Sequence, residues 1–192
     1  MILPIYAFGQ PVLKKVAAEI DKDYPGLEEL IANMFETMHH AEGVGLAAPQ
    51  IGLSIRLFQV DTLTPQEEEK EKEGTEPEYQ GIKKTFINAE MIEESGKPES
   101  FEEGCLSIPD IRGDVNRLNT IKIRYFDENF VQHEEVFDGV NARVIQHEYD
   151  HIEGVLFTEK LKPLKKRLIK KKLEKIKKGQ VKVDYKMKFV RR

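Results

Sequence analysis

The stretch QHEYDH, residues 146–151, contains the pattern HExxH, and the rest of the chain is organised around it. Residues i and i+4 of a helix lie on one face with their Cβ atoms about 6 Å apart, so His147 and His151 can present two imidazole nitrogens to one metal ion. Glu148 points beside that face, where its carboxylate can exchange a proton with water at the metal. The pattern therefore indicates a metal-dependent hydrolase.

The residues around this motif favour a buried helix over a surface helix that carries two histidines by chance. Val140, Val144, Ile145 and Ile152 place apolar side chains on the same segment. Buried imidazoles need polar partners, and a metal ion is one such partner. The apolar surroundings therefore strengthen the prediction of a metal site.

A metal site of this kind needs a third protein ligand. The metzincin continuation HExxHxxGxxH is matched as far as Gly154, but Phe157 stands where the third histidine would be. A thermolysin-like glutamate about twenty residues downstream would be Glu174, which lies in a lysine-rich segment that predicts a different helix. The single cysteine, Cys105, can supply a thiolate, which is a good ligand for soft divalent ions. We therefore predict Cys105 as the third ligand.

Length and composition indicate one soluble globular domain spanning residues 1–192, with 40% apolar and 33% charged residues. One cysteine excludes an intramolecular disulfide and suits a reducing compartment. The start of the chain has no basic segment followed by a long apolar run, and no apolar stretch approaches a membrane span. We therefore expect a cytoplasmic monomer that does not enter membranes.

The charge is distributed unevenly, although the net charge is only -4. Residues 159–192 carry 16 Lys or Arg against 3 Asp or Glu, whereas the rest of the chain carries 14 against 31. Such a basic end could meet an anionic partner, RNA above all, or it could be the solvated face of an amphipathic helix. The charge pattern alone leaves both interpretations open.

Apolar spacing and turn signals predict the secondary structure. A short helix is predicted to begin at Pro11, and an amphipathic helix spans Leu27–His40. The motif helix runs from after Gly139 to about Glu153, with Gly154 at its end. A basic helix runs from Pro163 to Gly179, with its apolar face formed by Leu164, Leu168, Leu173 and Ile176. The predicted strands are Leu53–Val60, Thr85–Glu93 ended by residues 94–98, a strand over residues 121–125 that turns into Val131–Phe137, and a terminal strand over residues 181–189.

The expected fold class is α+β, with mainly antiparallel sheets packed around the central metal-binding helix. The basic helix and the terminal strand form a C-terminal region over residues 163–192. Residues 64–81 are polar and charged without apolar periodicity, which indicates a surface insertion.

Three motifs in this order resemble the signature motifs of peptide deformylase: GVGLAAPQ (43–50), EGCLS (103–107) and QHEYDH (146–151). The surrounding chain is similar to that family from Pro11 to about residue 165. The resemblance implies an α+β enzyme that removes the N-formyl group from the initiator methionine of nascent polypeptides. The long insertion and the C-terminal region depart from the usual family pattern.

The resemblance also implies roles for the residues that match these motifs. The metal ligands would be Cys105, His147 and His151, and the ion would be Fe2+ in the cell, with Zn2+, Ni2+ or Co2+ as substitutes. Glu148 would be the general base and acid, and the oxyanion would be held by Gln50 and the backbone N–H of Leu106. The backbone around Gly45 would pair with an extended peptide, and the methionine side chain would be lined by Val44, Val140, Val144 and His147. Glu103 and Arg117 would form a supporting ion pair.

Two other functions remain open at this point. An HExxH zinc metallopeptidase would use the same helix with a third ligand other than Cys105. A non-enzymatic RNA- or ribosome-binding protein would use the basic C-terminal region and keep its histidines for structure. For the deformylase, the same basic region is expected to contact the ribosome.

Overall fold

The computed structural model describes residues 1–63 and 80–190. The predicted insertion at residues 64–81 therefore lies almost wholly outside the described residues, and so does the end of the chain at 191–192. Within these limits no helix is both long enough and apolar enough to cross a bilayer.

Helices and strands alternate irregularly along the described chain. In chain order, the strands are β1 (Ile5–Tyr6), β2 (Gly45–Ala47), β3 (Leu57–Asp61), β4 (Lys83–Cys105), β5 (Ile108–Phe126), β6 (Gln132–Asp138) and β7 (Met187–Lys188). The α-helices are α1 (Leu27–His40), α2 (Gly139–Ile152) and α3 (Pro163–Lys177), and short 3-10 turns occupy Pro11–Lys14, Ala48–Ile51 and Phe157–Lys160.

The strands of the described chain form one large and one small sheet. The large sheet has the order β2-β3-β4-β5-β6, and every neighbouring pair in it is antiparallel. The small sheet pairs β1 with β7 in parallel. The predicted combination of helices with mainly antiparallel sheet is confirmed.

The β4–β5 hairpin corrects the prediction that residues 94–98 end a strand. Pairing continues past them as far as Cys105, with a shift of register between Ser95 and Pro98. Gly96 has φ +81° there, and the N–H of Lys97 donates to Asn119 Oδ1 at 3.0 Å. A β-bulge accepts a left-handed glycine and a proline without N–H, so these turn residues bend the strand without ending it. The longer strand carries Cys105 to a tight turn before β5.

Helix α2 packs one face against the large sheet. Its Ala142, Ile145 and Ile152 are fully buried in a cluster with apolar side chains of β3, β4 and β5. The helix follows β6 at Gly139, where φ is +54°, and Gly154 after its end has φ +72°. The predicted bounds of this helix are confirmed, as are those of α1.

Helix α3 begins at Pro163 as predicted, but only part of its predicted apolar face is buried. Leu164 and Leu168 are each 67% exposed, whereas Ile169 and Ile176 are buried against residues of β5 and of the segment before the helix. Of the predicted face, Leu173 and Ile176 pack into this cluster, whereas Leu164 and Leu168 do not. Residue 169 lies about 100° round the helix from residue 168, which places Ile169 on the buried side and Leu168 on the exposed side.

Two of the predicted strands are shorter in the structure. The strand predicted over Leu53–Val60 starts at Leu57, and pairing in the terminal segment is limited to Met187–Lys188. The predicted alternation is nevertheless present in the terminal segment, because the odd-numbered residues 181–189 are partly buried and the even-numbered ones are exposed. Its only partner among the described strands is the two-residue β1, which limits the pairing.

Candidate active site

The three predicted metal ligands converge in the structure. One ligand atom from each of Cys105, His147 and His151 lies within 4.8 Å of the other two. Cys105 stands at the end of β4, while the histidines lie one turn apart on α2. The Sγ of Cys105 is 3.4 Å from Nε2 of His151. A thiolate and two imidazoles at this separation form a donor set for one divalent ion.

A buried carboxylate orients His147. Its Nδ1 lies 2.8 Å from Oε1 of Glu103, and in the tautomer in which Nδ1 donates, Nε2 keeps its lone pair for a metal. Burial would raise the pKa of Glu103, but hydrogen bonds from His147 and Arg117 outweigh it and hold that pKa well below its usual range. Glu103 therefore stays ionised beside the histidine.

The predicted ion pair of Glu103 and Arg117 is present, with Arg117 Nε at 2.7 Å and Nη2 at 3.0 Å from the carboxylate. Sequence reasoning missed two further members of this cluster, Arg143 and Asp150. Arg143 Nη1 donates to Glu103 at 3.0 Å and to the carbonyl of Val115 at 2.8 Å, and Asp150 accepts from Arg117 at 2.8 Å. The available signal was a charged residue, Arg143, among the apolar positions of α2.

Glu148 is enclosed in protein next to the ligands. It is 4% exposed, and its Oε2 has no hydrogen-bond partner among the described residues. Burial raises the pKa of Glu148 to about 7. A carboxylate with such a pKa and a free oxygen is suited to accept and return a proton near neutral pH.

Gly45 makes the space that Glu148 occupies. A Cβ added to Gly45 would lie 2.4 Å from Oε1 of Glu148, and its three nearest atoms would all belong to that side chain. The close approach of β2 to α2 therefore depends on the missing side chain.

Gln50 and Leu106 flank the ligand Cys105. The Oε1 of Gln50 accepts the N–H of Ala47 at 2.8 Å, which turns the amide nitrogen toward Cys105 Sγ at 3.4 Å and Ser107 Oγ at 3.3 Å. Leu106 stands in the tight turn between β4 and β5. Both predicted oxyanion donors thus lie on the residues that surround the ligand set.

A cavity of about 770 Å³ opens over this site. Its described lining includes predicted metal ligands, predicted catalytic residues and predicted peptide-binding residues. They are Cys105 and His147; Gln50, Leu106 and Glu148; and Val44, Gly45 and Val144. Val140 is not among the described lining residues and is 43% exposed, although it lies one turn before Val144 on α2. Residues 182–185 line the cavity as well, which the sequence did not indicate.

Comparisons with known proteins identify the family of this chain. A family model described as polypeptide deformylase matches residues 2–167. A peptide deformylase of Christiangramia forsetii is 57% identical over 189 residues, which cover 98% of this chain and 96% of the relative. A crystal structure of a peptide deformylase from Legionella pneumophila has a TM-score of 0.77 at 35% identity, covering 94% of this chain and 98% of that one. A peptide deformylase from Plasmodium falciparum has a TM-score of 0.78 at 30% identity, covering 91% and 95%. The chain therefore belongs to the polypeptide deformylase family.

Proposed function

We propose that this enzyme hydrolyses the N-formyl group of the N-terminal methionine of newly made polypeptides and releases formate. The observation that carries the proposal is the convergence of Cys105, His147 and His151 beside the buried Glu148, in a chain of this family. The rival metallopeptidase requires a third ligand other than Cys105, and the close approach of this thiol to the two histidines favours the deformylase instead.

The donor set fits a divalent metal ion. One thiolate with two neutral imidazoles suits Fe2+ and Zn2+, and the bond of His147 to Glu103 directs the other ring nitrogen toward the site. We propose that Cys105, His147 and His151 hold Fe2+, with Zn2+, Ni2+ or Co2+ as substitutes. When bound, the ion supplies Lewis acidity toward water and toward the formyl oxygen.

Glu148 moves the proton in the proposed reaction. Its carboxylate takes a proton from water as the water oxygen bonds to the formyl carbon, and it returns that proton to the amine nitrogen as the carbon–nitrogen bond breaks. Formate and the free amine are the products. The negative charge that develops on the formyl oxygen is stabilised by N–H donors from the side-chain amide of Gln50 and the backbone of Leu106.

The peptide is proposed to bind along β2 as an added strand. Strand β2 is at one edge of the large sheet, so its backbone at Gly45 can pair with an extended chain. Val44, Val144 and His147 line the adjacent cavity and would surround the methionine side chain. We leave Val140 out of this pocket because it is not among the described residues that line the cavity.

The basic C-terminal region is proposed to dock on the ribosome, where formylated chains emerge. The exposed lysines and arginine of α3 lie beside the exposed Leu164 and Leu168, which leaves this face available to an anionic partner.

We further propose that residues 1–192 form a single catalytic domain that acts as a monomer in the cytoplasm. Nascent chains are made in that compartment, and its reducing conditions keep the Cys105 thiol free.

Formate release tests the proposed function. Protein purified without oxygen and loaded with Fe2+ is given an N-formyl-Met peptide, and the same peptide without the formyl group serves as control. We expect rapid formate release from the first peptide and no cleavage of the second. Cleavage of the unformylated peptide without formate release would instead establish the metallopeptidase, and protein that binds no metal would favour the RNA-binding alternative.

A further inference from the structure

The C-terminal strap, residues 181–186, reaches the active site although it lies beyond the part of the chain that the family model matches. That match ends at residue 167, whereas residues 182–185 line the active-site cavity. The strap follows α3 and continues into β7. The N–H of Ile5 donates to the carbonyl of Lys186 at 2.8 Å, so the end of the strap is held to the N-terminal segment.

Tyr185 connects the strap to the turn beside the metal ligand. Its hydroxyl donates a hydrogen bond to the backbone carbonyl of Leu106 at 2.8 Å. The Tyr185 ring is partly buried and packs against the same apolar cluster as the Leu106 side chain. Burial raises the pKa of Tyr185, so the phenol stays protonated and remains a donor at every pH at which the enzyme would work.

Other contacts hold this turn as well, and each comes from a different part of the chain. The carbonyl of Ser107 accepts the N–H of Phe8 at 2.9 Å, and the Ser107 hydroxyl lies 3.3 Å from Nε2 of Gln50. Leu106 Cδ1 would lie 2.8 Å from a Cβ at Gly43, so the Leu106 side chain closely approaches the backbone there. Each of the two turn carbonyls therefore has one donor from a distant segment.

The turn carries two groups that the proposed reaction uses. They are the Sγ of Cys105, the proposed metal ligand just before the turn, and the backbone N–H of Leu106, the proposed oxyanion donor in its first residue. If the Leu106 carbonyl lost its donor, the main chain at Leu106 could shift, and the adjoining Cys105–Leu106 peptide group, which carries the Leu106 N–H, would shift with it. A misdirected donor loses much of its effect, because stabilisation of an oxyanion depends on donors that are already aligned before the charge develops.

We propose that Tyr185 is a positioning residue for deformylation, which holds the Leu106 carbonyl so that the Leu106 N–H is aimed at the developing oxyanion. The strap thereby completes the active site from outside the region shared with the family model. This inference rests on the proposed function, since it assigns an aligned donor to that reaction.

Tyr185→Phe removes only the hydroxyl and is the direct test. Tyr6→Phe is the matched control, because the Tyr6 hydroxyl also bonds to the C-terminal segment, accepting from Lys188 Nζ at 2.8 Å, but does not reach the turn. Steady-state formate release, metal content per chain, thermal unfolding and the backbone amide resonances are measured for both variants and for the wild type.

For Tyr185→Phe we expect kcat to fall about tenfold with KM within about twofold, as is typical when an interaction made only in the transition state weakens. Metal content stays at the wild-type value. The amide resonance of Ser107 shifts, because its N–H belongs to the same peptide group as the Leu106 carbonyl. Tyr6→Phe keeps the wild-type kcat and the wild-type Ser107 resonance.

The failures of the two proposals are distinguishable. A wild-type protein loaded with metal that releases no formate would overturn the proposed function and this inference together. Normal wild-type release with an unchanged kcat in Tyr185→Phe would overturn this inference alone, even if the variant melts at a lower temperature, because that result assigns Tyr185 a purely structural role.

Discussion

Glu148 has little solvent around it and little space beside it. It is 4% exposed, its Oε2 has no partner among the described residues, and the atoms nearest to a Cβ at Gly45 are its own. Burial raises the pKa of Glu148 to about 7, which suits a group that must both take and return a proton. The reactivity proposed for this residue therefore comes from its surroundings, and two substitutions separate its chemistry from its packing.

Glu148→Gln keeps the shape of the side chain but removes the proton acceptor. We expect kcat for formate release to fall by a factor on the order of 10² to 10⁴, the usual contribution of general acid–base catalysis, with metal content unchanged. Glu153→Gln, at the end of the same helix and outside the cavity lining, is the control and should keep the wild-type rate. A near-normal rate in Glu148→Gln would remove Glu148 from the mechanism.

Gly45→Ala tests the space that Glu148 needs. The new Cβ would lie 2.4 Å from Glu148 Oε1, so the carboxylate must move. We expect kcat to fall by roughly 100-fold, since a displacement of about 1 Å at a reacting group can cost that much. Metal analysis should still find one ion per chain, because Cys105 and the histidines are not among the atoms nearest to the new Cβ. A wild-type kcat in Gly45→Ala would show that the backbone of β2 shifts to accommodate the new Cβ without displacing Glu148.

At the scale of elements, the position of a helix against its neighbours decides which of its apolar residues contribute to stability. Helix α3 has apolar side chains at both Leu168 and Ile169, which are 67% and 5% exposed. Ile169 joins the cluster formed with Ile111 and Val115 of β5, while Leu168 projects into solvent beside the lysines. Helical spacing alone predicted that Leu168 is buried, whereas the buried neighbour is Ile169. Apolar residues are also common on protein surfaces, so an apolar residue at helical spacing need not be buried.

Ile169→Ala and Leu168→Ala form a matched pair on α3. We expect Ile169→Ala to lower the free energy of unfolding by about 3 kcal/mol, because it removes buried methyl groups and leaves a cavity. For a chain of this length that corresponds to a Tm lower by roughly 6 to 12 °C. Leu168→Ala should change stability by no more than about 0.5 kcal/mol. Calorimetry of both variants checks the assignment, and equal losses of stability would contradict the buried face that the structure gives α3.

At the scale of the whole molecule, the charge separates into an acidic body and a basic C-terminal region. Residues 159–192 contain 16 of the 30 basic residues and only 3 of the 34 acidic ones. Most of the charges on α3 are exposed, and the helix is attached to the body through its apolar face. The basic residues of α3 therefore face solvent.

Charge reversal on α3 tests the proposed docking on the ribosome. Lys166→Glu combined with Lys170→Glu should weaken binding to ribosomes at least tenfold at low salt, because electrostatic contacts to phosphates dominate such binding. Lys22→Glu on the body is exposed as well and serves as the control. Formate release from a free peptide should be the same in all these proteins. Binding that does not respond to the α3 variant or to salt would exclude α3 as the docking surface.

Local sequence was sufficient for the parts of this protein that depend on spacing and on donor chemistry. HExxH sets His147 and His151 one turn apart on any helix, and Cys105 is the one residue of its type, so the candidate ligands could be selected from the chain alone. Helix α1 and the bounds of α2 follow from apolar periodicity and glycine signals for the same reason.

The tertiary structure alone decided which distant segments meet. Residues 94–98 form a bulge and not a turn because β5 supplies partners on both sides of them. Val144 lines the cavity whereas Val140, one turn earlier on α2, does not. The bond from Tyr185 to Leu106 joins residues 79 apart in the chain. Spacing of a few residues determines the faces of a helix or strand, but which face is buried and which remote donor meets a turn depend on packing across the whole molecule.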